Sequence, residues 1–182
     1  KKQAKNTWYP LDNAGVLYSA IQKDRYSAIY RFSAVMTEPV NPPLLQRAVE
    51  KTMPRFPGFA VRMRRGAFWC YFEPNPNPGP FVKQDMVNPC QPVRFREDNE
   101  WLIRIFYYEH RISLEVFHAI SDGAGTLVFF RTLLAVYLRE LGYAIPIGPG
   151  ILDITQPPRK EELEDAYAKY AGQRILRDKL EK

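Results

Sequence analysis

The sequence predicts an α+β layered domain, and three observations carry that expectation. Apolar residues alternate at period two in several short segments, most cleanly over 111–117, where Ile112, Leu114 and Val116 share one face and Arg111, Ser113 and Glu115 the other. Two longer segments repeat apolar residues at helical spacing, one opened by Asn41-Pro42 and closed before Pro54, the other running from Asp122 to Leu141. Aromatic residues make up 14%, with 11 Tyr and 11 Phe, which suits strands and cleft walls better than a helical bundle.

Taken in order, Asp12-Asn13-Ala14-Gly15 followed by Val16, Leu17, Ala20 and Ile21 reads as a short capped helix. Tyr26 to Met36 reads as a strand rich in aromatic and β-branched residues. Asn41 then caps a helix whose first turn takes Pro42 and whose stripe is Leu44, Leu45, Ala48 and Val49; Pro54 cannot continue it. Phe59–Arg64 and Ala67–Phe72 form a hairpin turning at Arg65-Gly66, and Pro74 to Pro80 is a surface loop. Strands are expected at 92–97, 101–108 and 111–117, with turns at Asp98-Asn99 and Glu109-His110. His118 continues the parity of the apolar face, so it should leave the sheet on the core side. In the long helix Leu127, Phe130, Leu134, Leu138 and Leu141 repeat, Phe129, Leu133 and Val136 widen the face, and Gly142 ends it. A mostly polar helix is expected at 158–171, starting with Pro158 and ending before Gly172, and a short one at 173–182.

Composition narrows the classes. At 182 residues, 46% apolar and 25% charged, the chain suits one globular domain over 1–150 with a helical connector over 151–182. No apolar leader opens the sequence and no run of 18 apolar residues occurs, so a cytoplasmic protein without a membrane span is expected, with Cys70 and Cys90 reduced. Net charge is +6, and residues 1–66 hold 12 Lys/Arg against 4 Asp/Glu. A basic surface can meet nucleic acid, but no recognition motif or aromatic–basic repeat accompanies it, so nucleic acid is not an expected partner.

Two histidines eight residues apart and isolated cysteines argue against a metal centre. No phosphate loop, dinucleotide fingerprint or Gly-x-Ser-x-Gly elbow is present. What stands out is His118-Ala119-Ile120-Ser121-Asp122-Gly123: a histidine where a strand hands over to a long helix, with Asp-Gly four and five residues on. Imidazole is the side chain suited to taking and returning protons near neutral pH, and such junctions open onto clefts. Average residue usage gives a His-x-x-x-Asp-Gly match by chance on the order of one per cent of the time. Gly123-Ala124-Gly125 admits two readings, close approach of a ligand to backbone or close helix–strand packing.

With these residues the chain resembles the chloramphenicol acetyltransferase-like superfamily, which includes condensation domains of peptide synthetases and alcohol acetyltransferases. The resemblance covers about residues 8–145 and extends to Leu44–Met63, where Arg55-Phe56-Pro57 and Arg62 match an Arg-x-Pro element and the strand after it. It implies a two-layer α/β sandwich with a mixed, largely antiparallel sheet, forming the N-terminal lobe of a two-lobed enzyme. Many relatives carry two adjacent histidines; here Phe117 takes the first place.

The resemblance further implies an acyltransferase, with His118 as general base and acyl-CoA as co-substrate, acylating a small-molecule alcohol or amine. A carrier-protein thioester as donor is the alternative, as is a non-catalytic interaction lobe. Asp122 is expected to cap the helix or pair with an arginine, Arg55 first and Arg31 second, while Gly123 keeps the approach to the histidine open. No tightly bound cofactor, no metal and no oxyanion donor is implied by residues of this lobe. Without its second lobe the chain is expected to be inactive and to self-associate through an exposed interlobe face.

Overall fold

One strand organises the molecule. In the computed structural model, which describes residues 9–10, 27–65, 70–94 and 97–159, strand β7 (Arg111–Phe117) pairs on both edges. On one side lies β2 (Ile29–Val35), antiparallel from Ile29↔Phe117 to Val35↔Arg111. On the other lies β6 (Ile103–Tyr108), also antiparallel and joined to β7 by the Glu109-His110 turn. A short strand β5 (Val82–Gln84) adds to β6 in parallel, giving the order β2-β7-β6-β5. A second, three-stranded sheet has the order β1-β4-β3, built from β1 (Tyr9–Pro10), β3 (Val61–Arg65) and β4 (Cys70–Pro74).

Helices α1 (Pro42–Thr52) and α2 (Gly123–Glu140) cover one face of the larger sheet. Their apolar stripes meet the inward set of the strands, so that Leu45, Val49, Phe129 and Leu133 share a core with Ile105, Ile112, Leu114 and Val116. Each fully buried side chain of this kind contributes about 1.5–3 kcal/mol. Asn41 starts α1 because Pro42 and Pro43 have no N–H to satisfy, leaving Leu44 as the first donor; it reaches Asn41 Oδ1 at 3.2 Å. The Asn41 N–H donates in turn to Tyr137 Oη at 2.8 Å, which ties α1 to α2. A single 3-10 turn over Met53–Arg55 follows α1, as Pro54 demands. At the far end of α2, Gly142 adopts φ +95°. Gly142 N–H then returns to Arg139 O and Tyr143 N–H to Leu138 O, closing the helix in a Schellman turn.

Two expectations change. Residues 91–94 form no strand; the added strand is β5, on the far side of the Pro-rich loop. Pro92 removes a ladder donor, Cys90 sits at φ +57°, and the Cys90 N–H is taken by the Glu115 carboxylate at 2.6 Å instead of by a neighbouring strand. The second face of β7 is also not a solvent face: Ser113 and Glu115 are buried along with Phe117. Among the described residues Cys90 is a free thiol. The helices expected near residues 12–21 and 173–182, the Arg65-Gly66 turn, and all but the first two positions of the 158–171 helix lie outside the described residues.

Candidate functional site

His118 is the residue immediately after β7, in a turn that Asp122 closes into α2. Its backbone N–H donates to Ala28 O at 2.8 Å, just before β2 begins, so both neighbouring segments fix its Cα. The side chain is half-buried and continues the core-facing parity of Ile112, Leu114 and Val116. Its imidazole packs edge-on against the Tyr30 ring, centroids 4.8 Å apart at 61°. The ring therefore stands at the rim of the apolar core with part of its surface open, as a proton-transferring group requires.

Asp122 is exposed, and its carboxylate accepts the Gly125 N–H at 2.7 Å, which makes it the N-cap of α2. Arg31 cannot be its partner. Residues 30 and 31 point to opposite faces of β2, and Arg31 projects to the side away from the helices, where it meets Asp85 at 2.6 Å and Glu115 at 2.7 Å. Arg55 lies closer to the turn: it is buried in the 3-10 segment and lines, with Phe59, Ile120, Ser121, Gly125 and Val128, a cleft of about 290 Å³. Arg55 thus shares a wall with Ser121 and Gly125, on either side of Asp122, although the Asp122 carboxylate is spent on the cap. The two glycines differ. A Cβ on Gly125 would come within 2.7 Å of Ser121 Oγ, so close packing accounts for that glycine, whereas a Cβ on Gly123 would meet nothing within 4 Å. Packing does not explain Gly123; open space beside the turn is what it borders.

Tyr30 had no motif to announce it. Its hydroxyl lies 2.9 Å from both Ser121 O and Asp122 O and 2.5 Å from Thr126 Oγ1. The only signal in the sequence was parity: Tyr30, Phe32 and Ala34 form one face of β2, and the Ile29↔Phe117 register that brings Tyr30 to the turn is a fact of the folded sheet.

On the opposite face a charge network closes over β7. Glu115 accepts from Arg31 and from the Cys90 N–H through Oε1 and pairs with Arg104 at 2.9 Å through Oε2. Asp85 takes Arg31 and Arg111. The Arg31 hydrogen bond, reinforced by its charge and by Arg111, holds the Asp85 carboxyl below the usual carboxylate range. Burial and the Glu115 charge push the Cys90 thiol up, which makes it a poor nucleophile. Among the described residues no three His, Cys, Asp or Glu side chains are grouped to hold a metal ion, and no helix is long and apolar enough to cross a membrane.

No family model and no curated protein sequence matches the chain. Solved structures do. The starter condensation domain of rhizomide synthetase RzmA superposes with a TM-score of 0.60 at 14% identity, over 79% of this chain and 40% of its own. The first condensation domain of the calcium-dependent antibiotic synthetase gives 0.56 at 20% identity, over 79% and 40%. Polyketide synthase associated protein 5 from Mycobacterium tuberculosis gives 0.55 at 16%, over 88% and 39%. This chain spans about two-fifths of the length of each of these structures. Helices on one face of a largely antiparallel sheet are thus the α+β sandwich of the condensation domains, a chloramphenicol acetyltransferase-like fold.

Proposed function

We propose that this chain carries the base-bearing lobe, residues 1–150, of a condensation-type acyltransferase, with residues 151–182 leading to a second lobe. The observation that carries the reading is the placement of His118: fixed at the strand end by Ala28 O, packed on Tyr30, and next to a turn whose Gly123 borders open space. Neutral His118 accepts the proton of an acceptor amine or hydroxyl as that atom attacks a thioester carbonyl. The new bond to nitrogen or oxygen forms, the carbon–sulfur bond breaks, and the protonated imidazole returns its proton to the leaving thiolate. Such base catalysis supplies about 10²–10⁴-fold, and alignment of the two substrates supplies more. Asp122 holds the turn by capping α2, Arg55 lies in the cleft wall behind it, and the second lobe completes the passage and contributes the oxyanion donor. The likeness in fold to synthetase condensation domains favours a carrier-bound thioester as donor over free acyl-CoA.

The test is turnover of the complete protein with an acyl group on a carrier-protein arm and, separately, on CoA, wild type beside His118→Ala. Transfer from the carrier, lost by about a hundredfold or more in the variant, is the expected result. Equal rates for the two proteins would remove the base; preference for CoA would reinstate the free thioester as donor.

A further inference from the structure

We infer that Tyr30 is the positioning residue of this site, a bolt that sets the imidazole of His118 and the turn behind it at the same time. The inference rests on the proposed role of His118 and extends it to a residue on another strand. Carbonyl oxygens only accept, so one arrangement of protons satisfies the contacts around the Tyr30 hydroxyl. Its O–H donates, shared, to Ser121 O and Asp122 O, and the buried Thr126 hydroxyl donates to it. One oxygen atom thereby joins β2 to three residues that span the end of the turn and the first turn of α2. The same side chain lays its ring against the imidazole, and Phe32 buttresses that ring from the far side at 5.9 Å, near-perpendicular.

The two ends of Tyr30 do separate work. The hydroxyl fixes where the His118-to-Asp122 segment lies relative to β2, and the ring limits the rotamers open to His118. Without either, the backbone of His118 would still be held by Ala28 O, but its reacting nitrogen would sample a wider volume. A displacement of about 1 Å at a reacting centre can cost about a hundredfold in rate.

The experiment uses the complete protein, with the His118 resonances assigned by their loss in His118→Ala, and compares Tyr30→Phe with Tyr30→Leu. Tyr30→Phe keeps the ring and loses the hydroxyl; it should lower kcat by about threefold to tenfold and leave the imidazole carbon-bound proton resonances near their original place. Tyr30→Leu loses both; it should lower kcat by about tenfold or more, leave KM within about threefold, and move those resonances through loss of the ring. Unchanged kcat in both variants, while His118→Ala is inactive, would overturn the inference. So would a fall in melting temperature with kcat and KM scaling together and the imidazole resonances unmoved. Should His118→Ala prove fully active, the proposed function fails, and the spectra alone then decide: resonances that move in Tyr30→Leu sustain the positioning, and resonances that stay put refute it.

Discussion

The two faces of strand β7 are built on different physics. Toward the helices, Ile112, Leu114 and Val116 are buried among apolar side chains, and the stabilisation is non-directional, spread over the whole contact. Away from the helices, Ser113 and Glu115 are equally buried, but they are held by hydroxyl and charge contacts to Ser33, Arg31, Arg104 and the Cys90 N–H. An apolar face tolerates adjustment; a buried ion network fails when a single member is removed, since the remaining charges cannot be rehydrated. His118 leaves the strand on the forgiving face, and the loop carrying Asp85 and Cys90 is pinned on the demanding one.

Substitutions at adjacent positions break the comparison most sharply. Glu115→Ala leaves Arg104 without its carboxylate and should cost about 3–5 kcal/mol, read as a loss of roughly 6–20 °C in melting temperature. A variant melting within about 2 °C of wild type would show that the network is ornamental. Leu114→Ala, on the other face, should cost about 2–5 kcal/mol by leaving a cavity, and a Leu114→Met replacement that keeps the volume should recover most of it. No such rescue is expected from Glu115→Gln, which keeps the shape and removes the charge.

Acid separates the faces further. Because Arg31 depresses the Asp85 carboxyl in the folded protein, the contribution of that pair is fully present above the ordinary carboxylate range and is lost as pH falls through the lower, folded value. Asp85→Asn should therefore be less stable at neutral pH and lose less stability on acidification below about pH 4. Parallel unfolding curves for the two proteins across that window would contradict the assignment. The smallest effect belongs to the cap: Asp122→Ala should cost about 0.5–2 kcal/mol, and Asp122→Asn, which can still accept from Gly125 N, far less.

The same contrast explains what was legible in the sequence. Elements governed by apolar periodicity and capping residues were: β7, β6, both long helices, the Asn41 and Asp122 starts and the Gly142 stop all follow from spacing and from residues with one conformational use. The polar face was not, because alternation alone marks Ser113 and Glu115 as outward without saying what lies over them. That depends on Asp85 and Cys90, 25 to 30 residues earlier in the chain, turning back over the sheet. The strand expected at 92–97, absent over residues 92–94, has the same origin, since its neighbourhood serves the network and not a ladder. In the site, the motif pointed to His118 and to Asp122 as a cap, but the Arg31 alternative ignored which face of β2 that residue occupies. Tyr30 needed the register of β2 against β7, which no local pattern encodes.

The central claim, that His118 moves the proton during acyl transfer, is tested most directly by a single-turnover measurement on the complete protein with saturating thioester, which isolates the chemical step from product release. Replacing His118 by alanine should slow that step by about 10²–10⁴-fold while the melting temperature stays within a few degrees of wild type. A single-turnover rate within threefold of wild type would contradict it.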